Sequence, residues 1–408
     1  MKKQNLEISL TNLVNSGKVE SLTVVLKRIT DRRKKCKNLL YSLDKLLLVV
    51  IIAMISGYCS FRGFETFSNE NASIGGAVSR STFQRVLGNM DLTSFKTHLF
   101  EWVISIVKAN GYDFDKSIVS IDGKAYRAHN TTVPNNTYSL NMFIQDFKIL
   151  LDSVTYEGRK TYEIEGLKKA LNNDLIKLVT ADALHTNQHT LRHVIGLGKD
   201  YLFASKQKKL NLELELHGSE IEAGICNDKL ITLFAIEKGF NVTTTYNKSY
   251  TYKSKKILKS GKKGKDVVIK TCFNKTTWDN CGIATMIKVE GLYKDKKYIR
   301  YYITSLDSTD EKYDKRYIPK TNKIEYYEKT IRERWGVEEH HRSIDMVFKE
   351  DHHYTKNISS ATFFNLLSSF TISVFRLNGL KTTEKTVKRF CNRIPESMNL
   401  LGIKECPA

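Results

Sequence analysis

Up to about Asn110 the apolar positions recur at helical spacing. In "LTSFKTHLFEWVISIVKA" they fall at Phe95, Leu99, Trp102, Val103 and Ile106, one stripe of a helix. "SRSTFQRVLGNM" opens with serines suited to an N-cap and continues on the same period. "LLLVVIIAMISGYC", from Leu46 to Cys59, is apolar all round but shorter than the roughly 20 residues a bilayer requires, which predicts a core helix. From Ser117 the period changes. "SIVSID" predicts a short strand ending in Asp122, and "LNMFIQDFKILLDSV" a longer strand or strand pair. "YEIEGLKKAL" is a helix, "IKLVTAD" a strand, "NQHTLRHVIGL" a helix and "DYLFAS" a strand. Strands followed by strand–helix–strand alternation indicate an α/β class with a mixed sheet covered by helices. Residues 207–320 break that rhythm with "YKSKKILKSGKKGKD" and the alternating strands of "ATMIKVEGLYKDKKYIRYYITSLDS", a β-rich insertion. Helical spacing resumes in "IEYYEKTIRERWGVEEHHRSIDMVF" and "ATFFNLLSSFTISVFRLNGL".

Composition narrows the partner more than the fold. The 408 residues are 41% hydrophobic and 10% aromatic, those of a globular chain with a sizeable core. A formal net charge of +21 points to a polyanion, above all nucleic acid, unless a Lys-rich proteome inflates the count. Seven scattered cysteines without a CxxC pair argue against a disulfide framework or a structural zinc site and fit a reducing cytoplasm. "MKKQNLEISL" lacks the apolar stretch of a secretory signal, and no membrane association is expected.

Three acids occupy comparable settings: Asp122 and Asp182 at strand ends, and Glu338 on the helix of "RERWGVEEHHRSID". Such carboxylates can converge on two hard divalent cations about 4 Å apart, the arrangement that activates a water or 3′-hydroxyl against a phosphodiester. The bland alternative is that each strand-end Asp merely caps the turn that follows it. His185, His189 and His193 would share a helix face, but the Glu of an HExxH zinc site is absent. Trp278, Tyr293, Tyr298, Tyr301 and Tyr302 could stack on bases or simply pack the insertion.

Several of these stretches together resemble a known family. "DRRKKCKNLLYSLDKLLLVVIIAMISGYCSFRGFETF" and "SRSTFQRVLGNMDLTSF" look like its N-terminal associated segment. "IDGKAYR", "VTADALHTNQHT", "DYLFASKQKK" and "RERWGVEEHHRSIDMVFKED" are similar, in that order, to the blocks carrying its acids. The family is that of the DDE transposases of bacterial insertion sequences, in the branch that includes the H-repeat-associated proteins. The resemblance implies an RNase H-like mixed sheet with flanking helices, interrupted by the insertion and preceded by a helical N-terminal domain. The expected division is a DNA-binding or associated domain at 1–110, a first part of the core at 111–206, the insertion at 207–320, and the second part of the core with C-terminal helices at 321–408. It further implies Asp122, Asp182 and Glu338 as catalytic metal ligands, two Mg²⁺ (or Mn²⁺) ions per site, and cutting and joining of double-stranded DNA at terminal inverted repeats and target, by a dimer on paired ends.

Candidate DNA contacts are Lys124, Arg127, His185, Lys206, Arg332, Arg334 and Trp335, with Lys255, Lys256, Lys262 and Lys263 of the insertion as a sequence-independent grip. Of the adjacent acids, Glu338 lies on the flank of the Val337, Ile344 and Phe348 stripe, with Asp345 one heptad on, whereas Glu339 points to solvent. Two other functions fit the same residues: a decayed or domesticated DNA-binding protein, and a metal-dependent nuclease that cleaves without joining.

Overall fold

A computed structural model of the chain describes residues 10–34, 39–131, 136–158, 163–205, 247–252, 266–272, 281–283, 285–293, 296–306, 323–352, 355 and 357–404. It divides into two compact units. The first comprises Met1–Asp113, Gly123–Gly166 and Gly336–Ala408, and the second Phe114–Asp122 and Leu167–Trp335.

The first unit opens with helices α1 (Leu10–Asn15), α2 (Leu22–Lys27), α3 (Leu43–Ile55), α4 (Phe61–Glu70), α5 (Ala72–Gly75), α6 (Arg80–Leu87) and α7 (Leu92–Ala109). Their starts follow from their caps. Ser60, Ser79 and Asp91 each accept, through a side-chain oxygen, the backbone N–H three residues on, at 3.0, 3.3 and 3.0 Å. Every residue of α3 from Leu46 to Ile55 is buried, as its unbroken apolar run predicts. Later in the chain come α8 (Arg127–Asn130), the hairpin β2 (Thr137–Ile144) and β3 (Ile149–Glu157), α9 (Glu163–Ala170, shared between the units), α12 (Gly336–Val347), α13 (Ile358–Leu377), α14 (Glu384–Phe390) and α15 (Ile394–Leu400). The hairpin resolves the ambiguous "LNMFIQDFKILLDSV" as an antiparallel pair whose turn ends at Lys148 with φ 57°.

Helix α13 is the axis of this unit. Its Phe363, Phe364 and Phe370 meet Phe95, Phe61 and Trp102 with ring centroids 4.9–5.9 Å apart. By length and hydropathy alone it could cross a membrane, yet 89% of its apolar window is buried inside the protein. That is how the central helix of a packed core behaves.

The second unit carries a mixed sheet. Its strands run in the order β1 (Ile118–Ala125), β4 (Leu178–Ala181), β5 (Asp200–Ser205), β9 (Lys296–Thr304), β8 (Thr285–Tyr293), β7 (Asp266–Cys272) and β6 (Asn247–Tyr252). The first three are parallel and the rest antiparallel. β4 is buried at all four positions and β1 at its first four, the continuous apolar signature of a parallel strand covered on both faces. Helices α10 (Gln188–Gly196) and α11 (Lys323–Glu333) also belong to the unit. The α/β class with a mixed sheet, flanking helices and a β-rich stretch is thus the one the sequence pattern predicts. Within β1, between Asp122 and Gly123, the chain passes from the second unit into the first.

Candidate active site

Strands β1 and β4 lie side by side with Ile118, Val119 and Ser120 opposite Leu178, Val179 and Thr180. Thr180 Oγ1 donates to Ser120 Oγ at 3.1 Å, so these two side chains share a face. Two residues further along each chain stand Asp122 and Asp182, both half-buried. A strand's side chains alternate with period two, which gives Asp122 the facing of Ser120; Asp182 is the first residue past the end of β4. Matched register across neighbouring strands, roughly 4.8 Å apart, therefore brings these two acids to one place on the sheet. β1 runs on to Ala125, so Asp122 lies within the strand but beyond its printed pairing with β4.

The turn-capping alternative is realised in part. Asp182 Oδ1 accepts the Leu184 N–H at 2.8 Å, fixing the carboxylate to its own turn. Two neighbouring carboxylates are a hard-oxygen donor set and in chemistry fit a divalent cation such as Mg²⁺. Among the described residues, no three His, Cys, Asp or Glu side chains are gathered as a group that could hold a metal ion.

Glu338 belongs to the first unit, in the first turn of α12, where the helix dipole favours acids. It is half-buried, whereas Glu339 is exposed with Lys148 Nζ at 3.8 Å. Val337, Ile344 and Phe348 are fully buried, as their stripe predicts. Gly336 lets α12 begin against Phe143, whose Cε1 would stand 2.8 Å from a Cβ there.

Lys124 is not the phosphate contact the sequence suggested. It is 5% exposed, with Nζ 2.6 Å from Asp345 Oδ1 of α12 and 2.7 Å from Glu350 Oε2. Asn365 Nδ2 of α13 donates to Glu350 Oε1 at 2.9 Å. Burial opposes the lysine's charge, but the fields of Glu350 and Asp345 outweigh it and hold the ammonium above its usual range. Burial pushes both carboxyls up, and Lys124 pulls each back. Beside this cluster Asn141 Nδ2 donates to His341 Nε2 at 2.9 Å, which makes that nitrogen the acceptor. Burial drives His341 down to about 3, so the ring is neutral.

Other candidates fall into two groups. His185 is fully buried, its ring 6.5 Å from that of Phe203, and cannot reach DNA from there. It also precedes α10, whose N-cap is Asn187, so the three histidines do not share one helix face. Arg334 is buried, and Tyr302 is buried in β9 rather than offered for stacking. Arg127 and Arg332 remain exposed, Arg127 with Asp351 at 3.5 Å. Trp335 is 38% exposed and carries the Arg300 guanidinium 5.4 Å from its ring centroid. Lys206, Lys255, Lys256, Lys262, Lys263 and Trp278 lie outside the described residues, as do the side chains of Tyr293, Tyr298 and Tyr301.

Sequence reasoning missed two features. One is the lysine–carboxylate cluster itself. The other is Glu163, 2% exposed, whose Oε2 would stand 2.5 Å from a Cβ at Gly123. The glycine of "IDGK" is needed because this carboxylate presses on the backbone there. A glycine directly after a strand acid is the signal that could have suggested such a close approach.

Residues 23–103 match the family described as DDE_Tnp_1-associated. YbfL of Escherichia coli (strain K12) is 26% identical over 190 residues, 43% of this chain and 49% of that protein. A protein encoded in the dhlA 3′ region of Xanthobacter autotrophicus is 24% identical over 189 residues, 44% of this chain and 63% of that one. The chain therefore spans about half to three-fifths of the length of these relatives. Among solved structures, the piggyBac transposase synaptic complex with hairpin DNA is 14% identical, with a TM-score of 0.41 over 97% of this chain and 80% of that one.

Proposed function

We propose that this chain, which carries a DDE_Tnp_1-associated segment and so supports a protein of the DDE transposase family, cuts and joins double-stranded DNA at the ends of a mobile element. The observation that carries the reading is the matched register of β1 and β4 at Ser120 and Thr180, two residues before Asp122 and Asp182 respectively. Glu338 is the third acid of this proposal. Its support is its half-buried place in the first turn of α12, where the adjacent Glu339 is exposed. Glu338 precedes Asp345 by one heptad on the same side of α12.

Asp122, Asp182 and Glu338 would hold two Mg²⁺ or Mn²⁺ ions, whose chemistry when bound is to activate water or a 3′-hydroxyl and to offset charge on the leaving oxygen. The protein's part is to keep its acids oriented. The Thr180–Ser120 hydrogen bond ties the two strands together, and the Leu184 N–H holds one Asp182 oxygen, so that carboxylate is already oriented before binding. Exposed Arg332 and the Arg300–Trp335 pair offer cations and a ring face to a DNA backbone. The DNA comprises terminal inverted repeats and target, bound by a dimer on paired ends.

A second reading, a DNA-binding protein that has lost the chemistry, is favoured by the lack of a gathered three-acid group among the described residues. Nicking of supercoiled DNA carrying the element's ends, with and without Mg²⁺, separates the two. The expected outcome is Mg²⁺-dependent nicking that Asp122→Asn and Asp182→Asn each abolish while leaving DNA binding intact. Cleavage retained by either variant removes that residue from the site. No cleavage by the parent protein, with binding intact, selects the second reading.

A further inference from the structure

A cleft of about 440 Å³ opens in the first unit where α4 and α6 begin. Phe61, Arg62, Arg80, Gln84, His352 and Phe364 are among its lining. Phe61 is half-buried and leans on Phe364 with ring centroids 4.9 Å apart, and Phe364 is itself 4% exposed. That makes Phe61 a fixed platform with part of its surface open.

Arg62 and Arg80 are exposed, and among the described residues neither guanidinium has a carboxylate partner. Glu65 Oε1 takes the backbone N–H of Arg80 at 2.9 Å rather than its side chain. Both arginines sit in the first turn of a helix, α4 and α6 respectively, the end whose dipole disfavours a cation. Two neighbouring breaches of that local rule, with the nearby Glu65 engaged by a backbone N–H rather than by either guanidinium, mark a place open to an anion from outside. The anion has to come with a flat group, because the cleft's apolar wall is an aromatic ring. A phosphate joined to a stackable ring is a nucleotide, and the cleft's size suits one.

We propose that this cleft takes a single unpaired nucleotide of DNA, its phosphate between Arg62 and Arg80 and its base against Phe61. A base inside a duplex is covered on both faces and cannot enter a concavity of this kind, so the ligand is a base that has left the stack. The Gln84 amide can both donate to and accept from a base edge. The inference rests on the transposase reading and adds to it that the N-terminal helices grip an unpaired nucleotide.

The test compares binding of the full chain to a blunt duplex and to the same duplex with a short single-stranded tail carrying a fluorescent adenine analogue. The tailed duplex is expected to bind about tenfold tighter, the order of one stacked base, with a change in the analogue's emission. Arg62→Ala/Arg80→Ala and, separately, Phe61→Leu, which keeps apolar bulk without the ring, should erase the preference and spare blunt-duplex binding. Equal binding of the two duplexes, or a preference that survives both variants, overturns the proposal alone. Failure to bind either duplex overturns the transposase reading with it.

Discussion

Lys124 holds its charge inside the protein only because two carboxylates share it, at 2.6 and 2.7 Å. Lys124→Met keeps an unbranched chain of similar length but leaves the buried Glu350 and the half-buried Asp345 without their cation. Stranding a buried charge in this way costs on the order of 3–5 kcal/mol, so thermal unfolding should show a clear loss of stability near neutral pH. The loss should shrink on acidification. With Lys124 gone, both carboxyl pKa values rise further above their unfolded values, so the folded variant binds protons that its unfolded chain does not. Its stability, relative to the parent, then falls as pH rises through the gap between the two values and recovers below it. A Tm deficit equal at pH 5 and pH 8 would show that the carboxylates are not stranded. None of this is legible in "IDGKAYR". The partners of Lys124 lie more than 200 residues away, and their approach depends on the packing of α12 and α13. Asp122 and Asp182 could be read because an apolar strand that meets an acid is a local pattern.

At the scale of the element, α12 decides between two adjacent acids. Its buried stripe is Val337, His340, His341 and Ile344, and Gly336 seats its first turn on Phe143. Glu338 is carried on the half-buried flank of this stripe, while Glu339 is on the outside, in an exposed pair with Lys148 that is worth little. Glu338→Gln should therefore abolish cleavage, whereas Glu339→Gln should change it less than tenfold, under about 1.4 kcal/mol in the barrier. Single-turnover cleavage of pre-bound DNA measures both, and reversed phenotypes would shift the helix register by one residue. The stripe was legible because Val337, Ile344 and Phe348 repeat at helical spacing. The histidine face was not, because Asn187 accepts the Thr190 N–H at 2.9 Å and starts α10 after His185. A cap outranks a periodicity that would otherwise run through it.

Across the whole molecule, the charge excess makes a testable case for a polyanionic partner. Lys and Arg number 65 against 44 Asp and Glu, a difference of 21, so one-to-one pairing within the chain must leave that many cations over. Lys124, which takes two carboxylates for itself, enlarges the surplus. Some of it lies on described surface, at Arg62 and Arg80, and some in the lysines of 253–265, outside the described residues. If this surplus meets DNA phosphates, each contact releases a counterion, and log affinity should fall with log salt by about 0.9 per phosphate neutralised. Five contacts then give a slope near about −4.5, measurable by fluorescence anisotropy on a duplex between low and physiological salt. Deleting residues 253–265 should lower both affinity and slope if that segment is part of the grip, and lower neither if its lysines only keep the chain in solution. The Arg62→Ala/Arg80→Ala variant should leave the slope on a blunt duplex unchanged and reduce it by up to about two units on the tailed one, because its phosphate is met only when a nucleotide is unpaired. A nearly flat salt response in the parent protein would mean that the +21 charge follows from composition and not from a nucleic-acid partner.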